Sequence, residues 1–162
     1  MLNNALFNQY AHYIICATSC SPSIFFSPSI AWFEGCTIVN RSNSYITAAS
    51  TPQNQAYGYI FNNCRILGAP GVTKAYLGRP WRDYGYTLFM NCEIGGHIRP
   101  EGWHRWEPQR EKTARYMEYN NRGEGADVSK RVPWSRQLTK KEAKEITVEK
   151  VFNLNSSWNP EQ

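Results

Sequence analysis

The sequence predicts an all-β protein, a right-handed parallel β-helix in which one chain winds through stacked coils of strands. Three cysteines, Cys36, Cys64 and Cys92, are equally spaced along the chain, and each stands in the same local pattern, Phe-x-(Gly or Asn)-Cys-x-Ile. A pattern that recurs at a fixed period of about 20–50 residues is typical of solenoids. The repeats are rich in β-branched and aromatic residues and show no helical apolar period, so we expect the coils to be strands.

The spacing inside each repeat predicts a bend. The Phe and Cys positions are three residues apart, so one flat strand would place these side chains on opposite faces. A bend between them lets Phe, Cys and Ile all point inward. The residue before each cysteine is Gly35, Asn63 or Asn91, and these residue types tolerate a left-handed backbone. We therefore expect corners at these positions and a cysteine ladder that fills the core rather than binding a metal.

The second half of the chain differs in composition. Of 31 charged residues, 21 lie between positions 101 and 150, and the repeat is no longer recognisable there. This part predicts long loops on the solenoid followed by a short helix. Thr139 and Glu142 form a capping-box pattern at its start. The buried stripe of the helix is expected to contain the apolar residues Ala143, Ile146, Val151 and Phe152.

Length and charge limit the function. The 162 residues are the size of one globular domain. The net charge of +5 favours an anionic partner, such as an acidic polysaccharide or a phosphate polymer. Basic and acidic residues alternate without a known nucleic-acid motif, so no nucleic-acid partner is expected. No apolar run is long enough to cross a membrane, and no recognisable signal peptide opens the chain. The five cysteines leave at least one thiol free or paired outside the chain.

The segment from Tyr76 to Trp81 is the strongest candidate for a functional site. Pro80 restricts Arg79 to an extended backbone, so the guanidinium projects from a stiff base beside the Trp81 indole. A guanidinium pairs with a carboxylate through two hydrogen bonds, and an indole can stack on a sugar ring. Together they indicate recognition of a sugar acid. A structural arginine beside a core tryptophan is the alternative that spacing alone leaves open.

Leu-Gly-Arg-Pro-Trp at 77–81 resembles the signature of the pectin methylesterases, or pectinesterases, which are carbohydrate esterases with a right-handed parallel β-helix. Other matching segments follow in the family's order at 31–38, 46–50, 55–58, 63–66, 102–106 and 136–152. The resemblance implies hydrolysis of galacturonate methyl esters in pectin to pectate and methanol, as part of cell wall modification. It also implies an extracellular or periplasmic location and no metal or organic cofactor.

The resemblance assigns roles by position. Arg79 corresponds to the residue that orients the nucleophilic carboxylate, Trp81 corresponds to a subsite ring, and Trp103 is a further candidate for contact with pectin. The family is an aspartyl esterase family: one aspartate attacks the ester, another is the general acid and base, and glutamines stabilise the oxyanion. The two aspartates of this chain, Asp83 and Asp127, both follow Arg79, whereas those of the family precede it.

The catalytic segment of the family is therefore expected to be absent. When the family's Asp-Phe-Ile-Phe-Gly stretch is aligned with this chain without gaps, Ser23 occupies the position of the nucleophilic aspartate. Of the oxyanion glutamines, only Gln9 is available upstream, and the residues around it do not match the family. We expect residues 1–28 to be a non-family segment, 29–152 the pectinesterase-like β-helix with its loops and helix, and 153–162 a tail. This organisation predicts a fragment, the C-terminal portion of a pectinesterase, whose β-helix is incomplete at its N-terminal end.

No other residues are expected to take over the role of the missing catalytic aspartates. Ser23 has no evident base for a serine triad, because His12 lies in an unrelated segment. Asp83 is more typical of a turn residue than of a relocated nucleophile. A metal site at His12, Cys16 and Cys20 would lack a fourth ligand.

Two functions follow from the sequence. The first is a pectinesterase-family hydrolase that is inactive or impaired as this chain alone. The alternative is a non-catalytic β-solenoid that binds pectin or polygalacturonate through Arg79, Trp81 and Trp103. A pectate lyase is a third candidate, but its calcium site needs a cluster of carboxylates that two aspartates hardly supply.

Overall fold

The computed structural model describes residues 28–153 and the backbone of one earlier strand. In chain order the strands are β1 (Ala11–Ile15), β2 (Ile30–Glu34), β3 (Thr37–Asn40), β4 (Tyr45–Ala49), β5 (Tyr59–Asn62), β6 (Arg65–Gly68), β7 (Tyr76–Pro80), β8 (Tyr86–Met90), β9 (Glu93–Ile94), β10 (Arg115–Tyr119) and β11 (Arg136–Gln137). Two short helices follow, α1 (Lys140–Lys144) and α2 (Val148–Phe152). Single 3₁₀ turns cover Arg110–Lys112 and Glu124–Ala126.

The strands form three parallel sheets that run along the solenoid. The first sheet has the order β1-β2-β5-β8-β10-β11, the second β3-β6-β9 and the third β4-β7. The chain visits these sheets in turn, so each coil adds one strand beside its equivalent in the preceding coil. The predicted parallel β-helix is confirmed. Within the described residues, neither helix is long and apolar enough to span a bilayer.

Equivalent side chains of successive coils stack on one another. Phe33 pairs with Phe61, and Phe61 pairs with Phe89. Their rings are nearly parallel, with centroids 4.5 and 4.4 Å apart. All three residues are at most 3% exposed, so this ladder lies in the core. Stacked pairs of this kind add about 0.5–1.5 kcal/mol each to the burial of their surfaces.

The coils bend where the repeat predicts. Gly35, Asn63 and Asn91 have φ angles of 62°, 54° and 56°, which lie in the left-handed region that Gly and Asn tolerate. The bend turns the following cysteine inward, and the three repeat cysteines are at most 1% exposed and unoxidised. The predicted core-filling role of the cysteine ladder is confirmed.

A fourth coil continues the solenoid into the charged half of the chain. Glu118 lies in register with Phe89 and takes the phenylalanine position. Asn120 forms the corner, with φ of 49°. The Asn121 side chain accepts a hydrogen bond from the Cys92 amide at 2.9 Å and donates one to the Phe89 carbonyl at 3.1 Å. The repeat is unrecognisable in the sequence because polar residues have replaced its Phe and Cys.

The predicted C-terminal helix is divided into two. Thr139 and Glu142 form the expected capping box of α1. Thr147 then adopts an extended backbone, and its side chain accepts a hydrogen bond from the Lys150 amide in α2, so the helix ends and restarts. This second cap explains the division. The helices pack on the outer face of the first sheet, where the buried residues include Trp32, Ile60, Leu88, Met117 and Val151.

Candidate functional site

Close packing of the third sheet positions Arg79. In this sheet Arg79 pairs with Ala48, and Gly78 pairs with Thr47. A Cβ atom at Gly78 would lie 2.0 Å from the Thr47 hydroxyl oxygen, so only glycine permits this approach. Pro80 follows at the end of the strand, where it fixes the backbone that carries the guanidinium.

The Arg79 guanidinium lies among three aromatic rings. Its carbon is 3.4 Å from the ring centroid of Trp106, 4.5 Å from that of Tyr45 and 5.4 Å from that of Trp81. The Nε atom is buried without a hydrogen-bond partner. Among residues 28–153, no carboxylate forms an ion pair with Arg79. Burial lowers the pKa of Arg79, but a guanidinium stays protonated in proteins. The site is therefore a cation among aromatic rings, without a carboxylate partner in the described part of the chain.

The rings continue beyond Arg79 as one surface. We call this surface the aromatic face; its members are Tyr45, Tyr76, Trp81, His104 and Trp106. The Tyr45 and Tyr76 rings stack with centroids 5.5 Å apart, and His104 stacks on them at 5.7 and 5.2 Å. The Tyr45 hydroxyl and His104 Nδ1 are 2.8 Å apart and share a hydrogen bond. Flat rings beside a guanidinium suit the apolar faces and carboxylate of a sugar acid.

The electrostatic environment of the aromatic face is positive. Burial, and then the charges of Arg79, Arg105 and Arg99, lower the pKa of His104. Burial raises the pKa of Tyr45, and Arg79 and Arg99 act against this increase. Three guanidinium groups therefore influence the centre of the face. A neutral His104 and a protonated Tyr45 are the expected forms near pH 7.

Trp103 is not part of this surface. The residue is 1% exposed and packs in the core against Phe89 and Tyr116. The indole Nε1 donates a hydrogen bond to Glu118 Oε1 at 3.2 Å. Because the ring is enclosed by the solenoid, the structure does not place it where a polysaccharide could reach it. The expectation of substrate contact at Trp103 is corrected on this ground.

Trp106, which sequence reasoning missed, takes the exposed position instead. The residue is 41% exposed, and its ring lies over Arg79. Trp103 forms an isolated bridge with Gly78, so the segment that begins there extends the third sheet. Side chains alternate between the two faces along a strand. If Trp103 points inward, this alternation predicts that His104 and Trp106 point outward. Trp106 has a φ angle of 67°, which is uncommon outside glycine and is concentrated at functional sites.

The remaining candidates lie elsewhere. Asp83 is in a turn, as predicted, and its carboxylate is 3.7 Å from Arg110 Nε. The same guanidinium donates to the Trp81 carbonyl, so this pair supports the turn after the site. Ser23 lies outside the described residues, and of His12 only the backbone is described. Within residues 28–153, no three His, Cys, Asp or Glu side chains converge as a metal site would require.

The fold and the site define a parallel β-solenoid with a cationic, aromatic surface suited to acidic sugars. The family model for pectinesterases matches residues 6–155, and the chain belongs to this family. The sequence predicted that the family segment begins at Ser29. The matched region begins earlier, at residue 6. It includes β1, which pairs with β2.

Relatives and solved structures agree with this assignment. The chain is 40% identical over 144 residues to probable pectinesterase/pectinesterase inhibitor 35 from Arabidopsis thaliana, a match that covers 83% of this chain and 26% of that protein. Pectin methylesterase PemA from Erwinia chrysanthemi superposes with a TM-score of 0.75 at 28% identity, over 93% of this chain and 52% of that one. A pectin methylesterase in complex with a hexasaccharide gives a TM-score of 0.74 at 28% identity, with the same coverage. The chain thus spans about a quarter of the curated relative and half of each solved structure.

Proposed function

We propose that this chain binds the galacturonate backbone of pectin at Arg79 and the aromatic face, and that it hydrolyses methyl esters poorly on its own. The observation that carries this proposal is the Arg79 guanidinium, which has no carboxylate partner among residues 28–153. In the family reaction this arginine would orient the attacking aspartate. Without that aspartate it is available to a carboxylate of the polymer.

The energetics favour an acidic sugar at this position. The rings of Tyr45, Trp81 and Trp106 already remove part of the water around Arg79 in the folded chain. Binding of a carboxylate therefore requires less further desolvation of the guanidinium. A hydrogen bond to a charged group contributes about 1.5–3 kcal/mol, and a bidentate carboxylate makes two of them. The ring of Trp106 supplies a flat apolar surface beside the charge. The hexasaccharide complex of the related pectin methylesterase supports a polysaccharide ligand.

Ester hydrolysis needs groups that Asp83 and Asp127 do not supply at this site. A nucleophilic carboxylate must attack the ester carbonyl and release methanol, after which water hydrolyses the acyl intermediate. Asp83 pairs with Arg110, and Asp127 accepts a hydrogen bond from the Ser129 amide. Neither forms an ion pair with Arg79. We therefore assign the chain a binding function in the cell wall, where pectin occurs, and only residual esterase activity.

Two measurements test this function. Methanol release from highly methylated pectin should be negligible, and appreciable turnover would contradict the catalytic part. Titration calorimetry should show binding of polygalacturonate that Arg79→Ala abolishes and Arg79→Lys weakens, since lysine keeps the charge but loses the planar fork. Arg122→Ala is the matched control, because this exposed arginine pairs with Glu93 on the second sheet. Equal affinities for the Arg79→Ala and Arg122→Ala variants would refute the binding site.

A further inference from the structure

A second guanidinium lies at the other end of the aromatic face. The carbon of the Arg99 guanidinium is 5.2 Å from the ring centroid of Tyr76. Its Nε atom donates a hydrogen bond to the Lys74 carbonyl at 3.4 Å. Within residues 28–153 no carboxylate forms an ion pair with Arg99. The face therefore carries an arginine without an acidic partner at each end.

Backbone pairing fixes the distance between the backbone positions of the two arginines. The Arg99 amide donates to the Ala75 carbonyl at 2.9 Å, so Arg99 lies beside Tyr76 at the start of β7. Arg79 is three residues further along the same strand. At a rise of about 3.3 Å per residue, the backbone positions that carry the two groups are about 10 Å apart. A separation of this size lets each group take a carboxylate from a different unit of one chain.

The surface between the two arginines is continuous and flat. The Tyr76 ring, on which Arg99 lies, stacks with Tyr45, and the Tyr45 ring lies under Arg79. Arg79 and Arg99 both lower the pKa of Tyr45 against the effect of burial, so both charges influence this central ring. A polymer that follows the face from Arg79 would pass over Tyr45 and Tyr76 and reach Arg99.

We propose that Arg99, supported by Tyr76, is a second carboxylate subsite, so that the face selects pectin with at least two free galacturonate units. A methyl ester is neutral and cannot form the charge-assisted hydrogen bonds that a guanidinium makes with a carboxylate. Partly de-esterified blocks therefore bind at both arginines, whereas a single free acid between esters binds only at Arg79. This inference rests on the proposed function and adds the methylation pattern that the site prefers.

Calorimetry with defined oligogalacturonides tests the subsite. Arg99→Gln should weaken binding of the fully de-esterified hexamer about tenfold, which corresponds to about 1.4 kcal/mol, and should leave binding of a hexamer with one free acid within twofold. The affinity of the Arg99→Lys variant for the de-esterified hexamer should lie between those of the native chain and the Arg99→Gln variant. Arg122→Gln is the control for net charge. The melting temperature of each variant verifies that the fold is retained.

The outcomes separate this subsite from the proposed function. If Arg79→Ala abolishes binding while Arg99→Gln binds the de-esterified hexamer like the control, the second subsite is refuted and the proposed function stands. If Arg99→Gln weakens both hexamers equally, the selectivity for free acids is refuted. If the native chain does not bind the de-esterified hexamer, both proposals fail.

Discussion

The buried ion pair behind the aromatic face gives a sharp test of how the site is held. Glu118 and Arg131 side chains are 1% and 5% exposed, and their atoms approach to 2.8 Å. Glu118 also accepts a hydrogen bond from the indole of Trp103. Arg131 donates further to the carbonyls of Pro100 and Gly125. One carboxylate thus connects the fourth coil to the loops on both sides of the segment that carries Trp106.

Glu118→Gln should destabilise the protein strongly. The amide keeps the size of the side chain but leaves the Arg131 charge buried without a counterion. Removing one partner of a buried pair costs about 3–5 kcal/mol. The control is Arg136→Gln, which breaks a pair with Glu142 whose side chains are 60% and 40% exposed. Exposed pairs contribute about 0.2–1 kcal/mol.

Urea unfolding followed by tryptophan fluorescence measures both changes. We expect the free energy of unfolding to fall about 3 kcal/mol or more for Glu118→Gln and less than about 1 kcal/mol for the control. The double variant Glu118→Leu with Arg131→Met should recover most of the loss, because apolar groups of similar volume can replace a buried pair. Equal losses in Glu118→Gln and Arg136→Gln would refute the reasoning.

Three further predictions concern single positions. Asn91→Ala should lower the free energy of unfolding in urea by about 1–2 kcal/mol, because its corner has φ of 56°; Asn91→Gly should be better tolerated, and equal losses would contradict the corner. Burial and nearby guanidinium groups lower the pKa of His104 from 6.5, so stability should be greatest above that pH and fall on acidification; an unchanged pH profile in His104→Gln would contradict this. Trp106→Ala should weaken polygalacturonate binding in calorimetry at least fivefold, and unchanged affinity would exclude this ring.

The inner framework of the fold could be predicted because its residues repeat. Phe61 stands at the same sequence interval from Phe33 as from Phe89, and it pairs with both. The corners at Gly35, Asn63 and Asn91 recur with the same period. Their residue types, Gly and Asn, indicated the left-handed backbone before the structure was known. The fourth coil could not be found this way, since Glu118 and Asn121 fill apolar positions by making hydrogen bonds. Their partners, such as Arg131, are known only once the loops are in place.

The site could be predicted only in part because it lies where coil length varies. In the third sheet the sequence interval between the paired residues Tyr45 and Tyr76 is longer than the period of the phenylalanine ladder. The interval between Gly78 and Trp103, which form the next bridge, is shorter than that period. No fixed period therefore aligns Arg79 with the rings around it.

A solenoid can absorb such changes in loops while its core register is kept. A constant interval across β2, β5 and β8 aligns the phenylalanine ladder, and the variable interval in the third sheet brings residues distant in sequence to one face. On the proposed selection of free galacturonate units, substitutions in this third sheet and its loops should change that selection, and substitutions in the phenylalanine ladder should not.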